Sequence, residues 1–157
     1  MDNVFRTGRV PSAMDGVQRV ETEAAFREAI AVRYAVFVDE QGVSASIEVD
    51  DHEDEATHFL ARADGRAVGT ARYRTAESGA AKVERVAVRA AHRGEGWGAR
   101  LMDAVEADAR ETGHDRAVLH AQTSAADFYA ARGYERVGDV FDEAGIPHIA
   151  MERTIDK

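Results

Sequence analysis

The stretch HRGEGWGARLM, residues 92–102, places Gly94, Gly96 and Gly98 at alternate positions directly before an amphipathic run, with Arg93 in front of them. A glycine-rich turn that opens a helix makes an anion site. The first-turn N–H groups lack intrahelical partners, and the helix dipole is positive there. Glycine lets the backbone take positive φ and come close to a diphosphate. Arg93 can add a charge-assisted contact to a phosphate oxygen. A P-loop needs a lysine after its glycines, and none follows here; a dinucleotide fingerprint spaces its glycines G-x-G-x-x-G, whereas these read G-E-G-W-G. A glycine turn without any ligand would contain the same residues, so the surroundings have to decide.

A working cradle needs a strand leading in and a helix leading out. AKVERVAV (81–88) reads as the strand. The helix runs from the glycines to about Thr112, with Leu101, Met102, Val105 and Ala109 as its apolar stripe and Gly113 as its stop. Upstream, VQRVE (17–21) alternates like a strand. Residues 22–40 read as one helix or two short ones, capped by Thr22, and 56–75 read as a hairpin turning at Asp64-Gly65. Downstream come a strand at 115–122, a helix at 124–132 whose Ser124 and Asp127 have capping-box spacing, and strands in YERVG and HIAMERT. The expected architecture is α/β, a mixed central sheet of six to seven strands flanked by helices. Residues 1–16 are expected to form a loose arm before a single domain, 17–157.

Composition narrows the function classes. Asp plus Glu number 29 against 20 Lys plus Arg, a formal net charge of −9, and only Lys82 and Lys157 are lysines. Nothing lines up cations to neutralise phosphates in a row, so nucleic acid is not an expected partner. No apolar run nears the ~20 residues of a membrane span. The first 16 residues hold no continuous apolar core of a secretory signal, and there is no cysteine; the chain reads as cytoplasmic, with no membrane partner. His58, His120 and His148 fall on separate strands without ligand spacing, so no metal is expected.

With the strand before it, RGEGWG satisfies [RQ]-x-x-G-x-[GA] and resembles the acyl-CoA-binding motif of the GNAT superfamily of N-acyltransferases. AQTSAADFYAARGYERVG, downstream, resembles the second part of that family's signature. The segments FVDEQGV, EVDDHEDEATHFLA, VGTARYR, VERVAV, LHAQ and FDEAGIPHIAM resemble the ElaA/YjcF-like branch of the family, over roughly residues 17–153.

The resemblance implies a GNAT-type fold with splayed central strands and an acyl-CoA, acetyl-CoA first, as acyl donor. The donor's pantetheine arm would lie along Val86, Ala87 and Val88. Its diphosphate would sit on the amides of Gly94, Glu95, Gly96, Trp97 and Gly98 beside Arg93, and Gln122 would hold an amide of the arm. Trp97 stands where the family carries a small aliphatic residue, and packing against the sheet is its simpler reading. Tyr129 would protonate the departing thiolate; a phenol, with its ordinary pKa near 10, suits that task better than a carboxylic acid. A core aromatic is the other reading of Tyr129, although it and Phe128 cannot both face the core. Glu84 is a candidate base, or else the partner of a nearby arginine; simple alternation puts it on one face with Val86 and Val88. Glu48, Asp50 and Asp51 would draw in a cationic amine, or form a solvated loop, and His148 can reach the acceptor site.

The activity implied is transfer of an acetyl group from acetyl-CoA to a primary amine of a small molecule or peptide, by direct attack in a ternary complex. A non-catalytic acyl-CoA-binding regulatory module and an acyl-homoserine-lactone-type synthase are the alternatives, the latter suggested only by VFVDEQGV and the acidic run after it. Pairing of the chain with a second copy stays open. The acidic, lysine-poor composition fits a halophilic protein in a high-salt cytoplasm, where screening limits self-repulsion; a composition bias of the genome would leave the same mark. If salt is the cause, thermal stability measured from low salt to molar KCl is expected to rise. A melting temperature indifferent to salt would leave the genomic explanation alone.

Overall fold

In the computed structural model, residues 15–44 and 55–156 are described. The elements are β1 (Gly16–Arg19), α1 (Glu23–Arg33), β2 (Thr57–Ala63), β3 (Arg66–Thr75), β4 (Ala81–Val88), α2 (Trp97–Glu111), β5 (Arg116–Gln122), α3 (Ala126–Ala131), β6 (Glu135–Glu143) and β7 (Ile146–Thr154). Seven strands form one mixed sheet in the order β1-β2-β3-β4-β5-β7-β6. β4 and β5 run parallel because α2 carries the chain back between them; the other pairs are antiparallel.

Local chemistry explains most element boundaries. Thr22 Oγ1 accepts from Ala25 N at 3.1 Å and starts α1. Asp64 and Gly65 both take positive φ, +54° and +78°, as the tight turn between β2 and β3 requires. The 22–40 segment is one continuous unit: α1 passes directly into a π-helical stretch, Tyr34–Glu40. The capping box expected at Ser124 and Asp127 does not form. A 3₁₀ turn (Thr123–Ala125) leads into α3, whose first residue has no side-chain cap, and Asp127 instead accepts from Arg136 at 2.9 Å. β1 begins at Gly16, and Asp15 accepts from Gly65 N at 3.1 Å, so these two residues of the expected arm join the sheet.

The core lies on both faces of the sheet. α2 lays Leu101, Met102, Val105 and Ala109 on one face, against Phe59, Ala71, Val83 and Leu119. On the other face α1 and its π-helical extension place Val32 and Val36 against Ala87. α3 sits on the α2 side and is fastened there by Glu106. This carboxylate, only 2% exposed, accepts from Tyr134 Oη at 2.7 Å, Arg132 at 3.0 Å and Arg153 at 2.9 Å. It thereby ties α2 to the chain leaving α3 and to β7. Removing one member of a buried ion pair leaves the others buried without compensation, which costs about 3–5 kcal/mol. Glu106→Ala is therefore expected to lower stability to chemical denaturation by about that amount, whereas Asp103→Ala, which removes an exposed partner of the same Arg132, is expected to change it by less than ~1 kcal/mol.

Candidate active site

The site starts at an irregularity in β4. Arg72 of β3 pairs with Glu84, but Thr70 pairs with Ala87, so one residue more is fitted into β4 than into β3 over this interval. Arg85 takes up the difference with φ at +57°. Such a bulge shifts the alternation of a strand by one residue. Before it, Ala81 and Val83 face α2; after it, Val86 and Val88 pack on that side and Ala87 turns toward α1. The expectation that Glu84 shares a face with Val86 and Val88 is thus overturned, because simple alternation does not survive the extra residue.

Beyond the bulge β4 also loses its parallel neighbour. Its ladder with β5 covers only Ala81–Val83 against Ala117–Leu119, while β5 stays paired with β7 through to Gln122. From Glu84 onward the β5-facing edge of β4 has no strand partner among the described residues. A cleft of about 540 Å³ opens along this edge, reaching Val86, Ala87, Val88, Arg93, Gln122, Tyr129 and His148.

At the end of β4 the chain enters the cradle. Gly94 and Gly96 take φ of +80° and +88°, and a Cβ on either would meet nothing within 4 Å. α2 has no side-chain cap. The six N–H groups from Gly94 to Ala99 donate to no described residue. Consecutive free amides at a helix N-terminus, with open space before them, suit an anion such as a diphosphate. The Trp97 indole is turned away from that space: it is 8% exposed within the α2-side core, under the Arg100 guanidinium at 4.3 Å, and its Nε1 donates to Glu95 at 3.2 Å. Only its backbone N–H counts among the free amides. Arg93 holds the junction between cradle and cleft, donating to Val88 O at 2.9 Å and, through both terminal nitrogens, to Glu40 at 2.9 and 2.5 Å. Its hydrogen bonds hold the Glu40 carboxyl below the usual carboxylate range, against a small opposing effect of burial.

Three further groups border the cleft. Tyr129 is 8% exposed, and its hydroxyl bonds to no described residue. Burial disfavours the phenolate and pushes its pKa up to about 12, with the Arg132 charge opposing. The phenol thus keeps its proton throughout the neutral range. Phe128, the next residue back, is 37% exposed and lies against Gly98. Gln122 donates to the Gln41 side-chain oxygen at 2.8 Å, which ties β5 to the end of the π-helical stretch. Glu84 is surrounded by cations: Arg72 at 2.9 Å, Arg74 at 3.0 Å and Lys82 at 3.7 Å. Burial raises its pKa, but the Arg74 hydrogen bond and the charges of Arg72, Arg74 and Lys82 outweigh burial and hold it below the usual carboxylate range.

On the far side, the strand registers gather residues that spacing alone leaves apart. Phe141, His148 and Gln122 stand in one row across β6, β7 and β5. Glu143, which the sequence reading does not single out, accepts from or pairs with His120 Nδ1 at 2.8 Å and lies 4.0 Å from His148 Nε2. The only prior signal was its place in FDEAGIPHIAM. Among the described residues no group of three or more His, Asp or Glu is placed to hold a metal. Glu48, Asp50 and Asp51 lie outside the described residues.

Comparison with known proteins places this geometry in a family. Residues 19–155 match the family model of the acetyltransferase (GNAT) domain. The chain is 38% identical over 132 residues, 83% of its length and 94% of the relative's, to the uncharacterized N-acetyltransferase YjcF of Bacillus subtilis (strain 168). It superposes on the crystal structure of Escherichia coli ElaA with a TM-score of 0.78 at 27% identity, covering 87% of this chain and 97% of that one. An aminoglycoside 6'-N-acetyltransferase solved in complex with coenzyme A shares the fold, with a TM-score of 0.72 at 15% identity, covering 88% of this chain and 96% of that one. The chain belongs to the GNAT acetyltransferase family and is an N-acetyltransferase. Among the described residues no helix is long and apolar enough to cross a membrane.

If the free amides form the anion cradle, CoA and acetyl-CoA should raise the melting temperature alike, since both carry the diphosphate. Gly96→Asp adds a negative charge at a positive-φ position, so the variant is expected to melt lower on its own and to lose most of the ligand-induced rise. Differential scanning fluorimetry with CoA checks this; an undiminished rise in the variant would move the anion site elsewhere.

Proposed function

We propose that the protein transfers an acetyl group from acetyl-CoA to a primary amine of a small molecule or peptide. The observation that carries this reading is a cleft that follows an unpaired strand edge, has Tyr129 at its wall and reaches Arg93, directly before the row of free amides. The residues fit the donor. The amides of Gly94 to Gly98 hold the diphosphate, the edge from Val86 to Val88 and the Gln122 amide orient the arm, and Arg93 leaves Glu40 for a phosphate oxygen. An exposed ion pair of this kind is worth only about 0–1 kcal/mol, so that exchange is cheap. When bound, the donor supplies an acyl carbon activated as a thioester.

Tyr129 supplies the proton that the departing sulfur needs. Burial keeps the phenol protonated through the neutral range, and Tyr129 lines the cleft. Glu84 is assigned to structure: a carboxylate bound by three cations is a poor proton acceptor, and it instead neutralises the fully buried Arg72 next to the bulge. Replacing Tyr129 by Phe keeps the ring and its packing on Tyr134 and removes the proton. Affinity for CoA is expected to hold, while turnover of an amine substrate falls by the ~10²–10⁴ typical of losing a general acid. The loss is expected to shrink with an acyl donor whose thiol has a lower pKa. Equal turnover by Tyr129→Phe and the parent would make the tyrosine a packing residue.

A further inference from the structure

We propose that His148 is the base that takes the proton from the attacking amine, with Glu143 stabilising the imidazolium that results; this rests on the acyl-transfer reading above. His148 is 7% exposed and lines the cleft. Its Nδ1 is 2.7 Å from Ile146 O. A carbonyl oxygen can only accept, so Nδ1 carries the proton and Nε2 is left with its lone pair. The Glu143 carboxylate stands 4.0 Å from that Nε2, too far to occupy it by a hydrogen bond and near enough to favour its positive charge. His120 bonds the other Glu143 oxygen at 2.8 Å, and Phe141 stacks on the His148 ring at 6.2 Å and 30°, so carboxylate and imidazole are both held in place.

The position in the sheet fits the role. Ile149 and Met151 of β7 face the α2-side core, so His148 faces the opposite side, in the row with Gln122 and Phe141. Tyr129 belongs to the α2-side core. Acid and base therefore border the slit from opposite faces of the sheet, and neither neutralises the other. In the step, the amine nitrogen bonds to the acyl carbon as the carbon–sulfur bond breaks. The nitrogen gives one proton to His148 Nε2, the sulfur takes one from Tyr129, and both residues are reset by exchange with water. The products are the amide and free CoA thiol.

The test uses an amine that the parent enzyme acylates, followed by thiol release, with CoA-induced thermal shifts as the check on folding. His148→Ala is expected to lose ~10²–10⁴-fold in kcat with CoA binding kept. Added imidazoles are expected to restore rate in order of their basicity, which a packing role would not produce. Glu143→Gln, at a half-exposed site, is expected to lower kcat several-fold, because it removes the negative charge 4.0 Å from Nε2. Turnover retained in His148→Ala, or a loss that no imidazole relieves in a protein that still binds CoA, overturns the assignment and leaves the acyl-transfer reading standing. If His148→Ala fails to bind CoA, Glu143→Gln decides, and parental turnover by it overturns the proposal. A parent that acylates no amine refutes the acyl-transfer reading and the base with it.

Discussion

The site depends on the point at which β4 parts from β5. Three residue pairs join them, from Ala81 to Val83, and then the bulge at Arg85 re-aims β4. A non-glycine residue at positive φ costs about 1–2 kcal/mol and persists only when its surroundings over-determine it. Here they do. Glu84, one residue before, is pinned by Arg72, Arg74 and Lys82. Val86, Ala87 and Val88, just after, are sorted between the two cores. β5 meanwhile is held along its whole length by β7. The two halves of the sheet each have a partner, and the gap between them is what is left.

The charges divide into two kinds. Glu106 and Glu84 are sequestered and bind two arginines each, holding helices and strands in place. Their removal leaves buried cations, so they are costly to change. The Glu40–Arg93 and Gln41–Gln122 contacts are half-exposed and join the π-helical stretch to the cleft's rim. Contacts of this second kind are individually weak. They can be exchanged for a ligand's phosphate or amide at little loss, and both happen to involve residues read as donor-binding. A rigid frame with replaceable clasps at its mouth suits an acetyltransferase, which has to bind a donor and an acceptor.

How much of this was legible beforehand differs by residue. The glycine cradle, the strand 81–88, the hairpin turn at Asp64-Gly65 and the helix after the glycines are local matters. Periodicity, positive-φ requirements and turn chemistry act over a few neighbours, and one sequence is enough to show them. Tyr129 came from the resemblance; the ~100° between adjacent helix residues said only that it and Phe128 cannot both face the core, and the structure turned Tyr129 inward and left Phe128 exposed. Trp97 as a packing residue followed from size and apolarity.

The rest required contacts between distant segments. The bulge at Arg85 carries no glycine or proline to announce it, and it inverted the facing expected of Glu84. Glu143 and His148 are five residues apart on two strands, and His120 lies on a third; only the registers β6–β7 and β5–β7 bring them to one face. The π-helical winding of 34–40 sets Glu40 against Arg93, 53 positions away. By itself, then, the sequence determined most of the elements, the glycine turn before the second helix and the family, because those are written in short-range spacing. The tertiary structure alone decided where the sheet opens, which carboxylate is neutralised and which imidazole is left with a free lone pair. Those outcomes depend on strand register and burial, which no local pattern encodes.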